Sequence, residues 1–263
     1  KQDETTIYIK DGVYEEKVTI PTNKQRIHLI GQSAEKTVIT WGDYAKKLGS
    51  TGYEMGTSAT STVFLYGSDF LAENITFQNT AGEGKEIGQA CAITVDADRV
   101  AFINCRFIAN QDTIYTYGKG QRQYFRNCWI EGTTDFIFGA STCWFEDCTI
   151  LSKRDSYITA ASTPENEEFG YVFHNCRLIH NENAAKVYLG RPWRSFAKTV
   201  FIDCELGDHI RPEGWHNWNK PYAEKTTFYA EYGSKGPGAE GKRVKWSHTL
   251  KAKELKKYTP ANV

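Results

Sequence analysis

The sequence predicts an all-β protein wound as a parallel β-helix, and three observations carry that prediction. Strand-like runs dominate the chain, rich in Val, Ile, Thr and aromatics and punctuated by Gly, Asn and Asp. Helical periodicity is missing until the C-terminus. A short motif recurs: Asn74-Ile75-Thr76-Phe77, Asn104-Cys105-Arg106-Phe107, Asn127-Cys128-Trp129-Ile130, Asp147-Cys148-Thr149-Ile150, Asn175-Cys176-Arg177-Leu178 and Asp203-Cys204-Glu205-Leu206. Its second positions are spaced by 30, 23, 20, 28 and 28 residues. Periods of that size mark solenoids, propellers or arrays. Propeller blades need about 40 residues each, and leucine ladders are absent. A coil of two or three short strands fits a β-helix.

In chain order, strands are expected over 6–9, 17–20, 27–30, 37–40 and 62–66. Within each repeat the second and fourth positions alternate inward. Cys105, Cys128, Cys148, Cys176 and Cys204 would then form an internal ladder of free thiols. The Asn or Asp before each belongs at the turn, where its side chain can bond backbone groups. Three segments break the rhythm. Residues 43–61 are polar and Gly-rich, 162–169 form a loop around Pro164, and the chain from Gly214 onward reads as irregular wrapping. Leu250, Leu255 and Tyr258, among Lys and Glu, suggest one short C-terminal helix. The whole of 1–263 reads as a single domain.

Composition narrows the function. Thirty-two basic and 32 acidic residues cancel, which argues against nucleic acid as partner and gives no support for a membrane surface. No apolar run approaches a membrane span. The charged start at Lys1 opens no signal peptide, as a trimmed secreted protein would also show. Seven Cys without CxxC pairs predict no zinc site. No GxSxG, HExxH or phosphate-loop spacing occurs, and the six His flank no obvious Ser or Cys.

A carboxylate pair remains. Asp112, in Gln111-Asp112-Thr113-Ile114-Tyr115, lies seven residues after Cys105. Asp135, in Thr134-Asp135-Phe136-Ile137-Phe138-Gly139, lies seven after Cys128. Stacked coils would set the two side by side, each in a short apolar strand. Asp135 has apolar neighbours, and to stay ionised it needs a cation. Arg191, held between Gly190 and Pro192, is the best source of one. A second carboxylate nearby would feel like-charge repulsion and could enter protonated, so the pair can divide roles. Gln111 and Gln89 bring neutral amide donors toward the same face. Taken singly, each reads as a surface residue; together they could stabilise an oxyanion.

Gly12-Val13-Tyr14-Glu15-Glu16, Gly88-Gln89-Ala90, Gln111-Asp112-Thr113-Ile114-Tyr115, Asp135-Phe136-Ile137-Phe138-Gly139 and Leu189-Gly190-Arg191-Pro192-Trp193 resemble, in order, the five signature segments of pectin methylesterases. Pro212-Glu213-Gly214-Trp215, Trp218 and Gly236-Pro237-Gly238-Ala239 continue the likeness. The resemblance implies a right-handed β-helix and hydrolysis of the C6 methyl esters of homogalacturonan to acidic pectin and methanol. It implies Asp135 as nucleophile, Asp112 as general acid and then base, and Gln89 and Gln111 as the oxyanion hole. Arg191 would hold Asp135, with Trp193, Phe138 and Tyr115 binding the sugar chain. No cofactor and no metal are implied.

The expected protein is a monomer, secreted or periplasmic because its substrate lies outside cells. Two departures stand out: the family's N-terminal capping segment is missing ahead of residue 6, and Ala161 replaces the Gln of plant members, which is closer to bacterial ones. Two other classes compete. Paired aspartates also serve a glycoside-cleaving enzyme (polygalacturonase or lyase) on the same fold, and a non-catalytic polysaccharide-binding member would share it too.

Overall fold

The structure, a computed structural model, describes residues 3–263; the charged start at Lys1 lies outside them. It is a right-handed parallel β-helix of three sheets with 10, 8 and 7 strands. In each sheet successive coils stack in chain order, so every neighbour comes from the next turn of the solenoid. The expected strands appear as Thr5–Ile9, Val18–Ile20, Ile27–Gly31, Thr37–Trp41 and Val63–Leu65. An additional strand, Gly12–Glu15, pairs with Thr37–Trp41. Its two half-buried positions are too few for a period to show.

The recurring motif is a corner. Asn74, Asn104, Asn127, Asp147, Asn175 and Asp203 all have φ between 51° and 56°. Asn and Asp tolerate that left-handed region better than other L-residues, which is why the position repeats. Four of these side chains bond along the axis rather than to backbone: Asn127 Nδ2 donates to Asn104 Oδ1 at 2.6 Å, and Asn175 Nδ2 to Asp147 Oδ1 at 2.6 Å. The next residue turns inward, and all seven cysteines are free and buried.

The inside of the helix is a stack of phenylalanines. Phe102, Phe125, Phe145, Phe173 and Phe201 occupy equivalent rungs. Their rings lie 5.1, 4.6, 4.4 and 4.5 Å apart and within 19° of parallel. Rungs about 4.8 Å apart suit offset stacking, so the sheet spacing and the ring spacing agree.

The wrapping segments cover the solenoid. Residues 43–61 are tied down by Asn79, whose Nδ2 reaches the carbonyls of Asp43, Thr60 and Cys91. The C-terminal helix is a single 3-10 turn, Leu255–Lys257, with no buried residue of its own; Leu255 packs on a small apolar cluster that holds Leu250 and Tyr258. Among the described residues no helix is long and apolar enough to cross a membrane.

Candidate active site

The 7-stranded sheet carries the site. Ile114–Thr116 pairs with Ile137–Gly139, and that strand with Tyr157–Ala161. The register aligns Thr94, Tyr115, Phe138 and Ala160 on one outward rung. Tyr115 and Phe138 stack at 4.2 Å, and Trp193 closes over both at 6.0 and 5.8 Å.

The two aspartates precede these strands rather than sitting within them, which corrects the placement read from the sequence. Asp112 (φ 66°) and Asp135 (φ 50°) occupy left-handed corners two residues before Ile114 and Ile137. Because Ile114 and Ile137 are partners, the corners coincide in successive coils. Asp112 N donates to Thr134 O at 3.0 Å, and Asp135 N to Tyr157 O at 2.8 Å. Both carboxyls are nearly buried, at 7% and 6% exposure, yet their surroundings differ.

Arg191 grips only Asp135. Its Nε donates to Oδ1 at 2.9 Å and its Nη2 to Oδ2 at 2.6 Å. The guanidinium is held between the faces of Trp218 and Tyr157, 3.6 and 3.9 Å from the ring centroids. It arrives on the strand Tyr188–Gly190, which packs tightly because a Cβ on Gly190 would lie 2.1 Å from the Thr159 hydroxyl. The carboxyl of Asp112 has no hydrogen bond from the described residues. Burial, reinforced by the Asp135 charge, pushes it well above the usual carboxylate range despite Arg191. Burial raises Asp135 as well, and the Arg191 hydrogen bonds and charge offset only part of that. The pair is therefore unequal: Arg191 favours the charged form of Asp135, and nothing comparable offsets the burial of Asp112.

Gln89, Gln111, Asp112, Tyr115, Asp135, Phe138, Arg191 and Trp193 all line one cavity of about 410 Å³. Ala90 N bonds Gln111 O at 3.1 Å, which brings the two glutamines into neighbouring coils. Every residue singled out in the sequence is thus in this cavity. Thr57, Ser58, Ala160 and Trp218 also line it, although no motif assigned them a role. Trp218 had a signal, an aromatic close behind Gly214-Trp215, but no spacing tied it to Arg191. A second cavity of about 620 Å³ shares Tyr115 and Trp193 and runs on past Lys119, Glu165 and Arg194.

A buried carboxylate pair beside two glutamines, in an aromatic-lined groove on a β-helix, is the kind of site a carbohydrate-active enzyme presents. Comparison with known proteins gives the family. The pectinesterase family model matches residues 1–263, and Pectinesterase 31 of Arabidopsis thaliana is 43% identical over 94% of this chain and 78% of its own length. The chain belongs to the pectinesterase family and is a carboxylic ester hydrolase, a pectin demethylesterase. Probable pectinesterase/pectinesterase inhibitor 64 of the same plant is 38% identical over 97% of the chain, which spans only 45% of that protein. The pectin methylesterase of carrot superposes with a TM-score of 0.91 at 33% identity, covering 100% of this chain and 84% of its own. A pectin methylesterase in complex with a hexasaccharide superposes at 0.87 with 29% identity, over 100% and 88%. Ala161 suggested bacterial members; Pectinesterase 31 and the carrot enzyme are plant proteins.

Proposed function

We propose that demethylesterification runs through Asp135 as nucleophile and Asp112 as general acid and then base. The observation that carries this reading is the asymmetry of the pair: Arg191 forks onto Asp135 alone, while Asp112 is buried without a partner among the described residues. An Asp135 oxygen attacks the C6 ester carbonyl, and the electron pair moves to the carbonyl oxygen. Gln89 and Gln111 supply amide hydrogens to that oxyanion. Collapse expels methoxide as Asp112 gives it a proton, leaving methanol and an anhydride between Asp135 and the substrate acyl group. Asp112, now ionised, takes a proton from water, and the hydroxide attacks the acyl carbon. The Asp135 carboxylate departs, the product leaves as the galacturonic acid, and Asp112 is again protonated.

The substrate is methyl-esterified homogalacturonan. Its sugar rings have apolar faces that suit Trp193, Tyr115 and Phe138. The continuous groove past Lys119 and Arg194 favours a polymer over a small ester, and those cations suit carboxylates already freed on the chain. Such a polymer places the protein's work outside the cell.

The test is methanol release from highly methylated pectin, with product length followed on a gel. Wild type is expected to release methanol with chain length unchanged, and Asp135→Asn to lose roughly 10³-fold or more of that rate. Shortened chains without methanol would point to glycoside cleavage; bound pectin with neither product would point to a recognition module.

A further inference from the structure

A second cluster of chemically capable side chains lies outside the carboxylate cavity, and nothing in the esterase reaction uses it. His180 ends the strand Arg177–His180, and Asp208 and His209 lie just past the strand Glu205–Leu206 of the next coil. Those two strands pair. His180 and Asp208 are each four residues beyond a ladder cysteine, Cys176 and Cys204, so they occupy the same place on successive coils. The corresponding residues of three earlier coils are Ala109, Gly132 and Ser152, which offer no comparable ligand set. One ligating atom from each of His180, Asp208 and His209 lies within 4.8 Å of the other two.

Two independent features of this cluster call for a cation. His209 is 1% exposed, yet neither ring nitrogen has a hydrogen-bond partner among the described residues. A buried imidazole left unpaired is costly. Its ring sits directly against Gly207, where a Cβ would lie 2.7 Å from Nδ1, so the position is fixed. The second feature is a mismatch at His180. Its Nδ1 faces the Asn181 carbonyl at 2.8 Å, which can only accept, so the proton of the neutral ring belongs on Nδ1. Its Nε2 lone pair then faces Asp208 Oδ1 at 2.9 Å. Two lone pairs at that distance repel unless a proton or a metal ion lies between them. A histidine that donates one N–H to a backbone carbonyl and aims the other nitrogen at a carboxylate oxygen has the arrangement that outer-sphere partners impose on metal-ligating histidines.

From these contacts we infer that His180, Asp208 and His209 form a site for a divalent transition metal, with Zn²⁺ the best match to two imidazoles and a carboxylate. Three protein ligands leave a fourth position for water. Donor atoms around a tetrahedral zinc are roughly 3.3 Å apart. His180 Nε2 and Asp208 Oδ1, 2.9 Å apart, would spread slightly while both move toward the fixed His209 from within 4.8 Å, and their exposed side chains leave room for that. The ion would staple two coils together. It would also sit behind the strand that carries Arg191, because Val187 N bonds the His209 carbonyl at 2.7 Å. The missing CxxC pairs bear only on thiolate sites; here the ligands are 28 residues apart and meet through the coil repeat.

The test uses the full chain, treated with EDTA and exchanged into metal-free buffer at pH ~7.5. Calorimetric titration with ZnCl₂ is expected to give one ion per chain at micromolar affinity or tighter. A hundredfold excess over Kd should raise Tm by about 5 °C, and Co²⁺ should give the visible absorption of a four-coordinate site. His180→Ala and Asp208→Asn change exposed side chains, so both should fold with the metal-free Tm of wild type. Each should weaken Zn²⁺ binding at least tenfold and cut the Tm rise to about half or less at the same Zn²⁺ concentration. No Zn²⁺ bound below about 100 μM, or equal binding by wild type and both variants, would overturn the assignment and leave His180 and Asp208 as an ion pair.

Discussion

Asp112 and Asp135 have the same chain position, the same kind of backbone corner and nearly equal burial; one arginine separates their chemistry. The left-handed φ values of 66° and 50° also decide which variants are informative. Alanine there would add backbone strain of about 1 kcal/mol or more, whereas Asn keeps the local preference. Asn variants therefore report on the carboxyl itself. Asp112 predicts an unusual stability profile. Its folded-state pKa is raised by burial and by Asp135, above the unfolded value near 3.9. The folded protein thus holds this proton more tightly, and the stabilisation is present at low pH and lost as pH rises through the folded pKa. Asp112→Asn carries no ionisable group there. Thermal melts should show the variant close to wild type at pH ~4 and more stable by roughly 3 °C or more at pH ~8. A gap that stays constant with pH would count against the buried-acid reading. This residue pair was legible in the sequence because both members sit seven residues past a ladder Cys; the corner geometry was not, since the flanking Ile and Phe read as uninterrupted strand.

At the scale of the coil, the repeat that could be read was Asn-Cys, but the element it belongs to is organised equally by phenylalanine. Phe102, Phe125, Phe145, Phe173 and Phe201 each stand three residues before a ladder Cys. That signal lay in the chain, but the polar corner between Phe and Cys hid it from a motif that starts at the Asn and runs only toward the C-terminus. Phe173 is fully buried and stacked on Phe145 and Phe201 at 4.4 and 4.5 Å. Phe173→Ala should cost about 3–5 kcal/mol, measured by denaturant unfolding. Its KM for pectin should change little, because the stack lies in the 10-stranded sheet and the groove in the 7-stranded one. A small stability loss would mean the stack relaxes around the cavity. The C-terminal helix shrank to one turn for a related reason: Leu250 directly follows the last strand and packs from there, outside any helix, which leaves Leu255 as the one apolar residue of the turn.

For the molecule as a whole, the β-helix works as a ruler. It sets the separation of the carboxylates, the aromatic rungs and the arginine in whole coils, and the irregular segments only finish the walls. Residues 43–61 supply Thr57 and Ser58, 162–169 extend the groove, and the stretch after Gly214 supplies Trp218 over Arg191. The periodic parts could be read because each repeat confirms the next. The walls could not, because a loop's path depends on contacts with coils far away in sequence, such as Asn79 with Asp43 and Thr60. Attack by Asp135 and proton transfer by Asp112 can be separated in one experiment. The most direct measurement replaces the methyl ester of homogalacturonan with a trifluoroethyl ester, whose more acidic alcohol departs without protonation, and tracks alcohol release in a rapid-quench experiment. Asp112→Asn should release about one equivalent per site in a burst and then stall, because attack survives and water activation does not. Asp135→Asn should release none. A burst from Asp135→Asn, with none from Asp112→Asn, would reverse the roles and contradict the account.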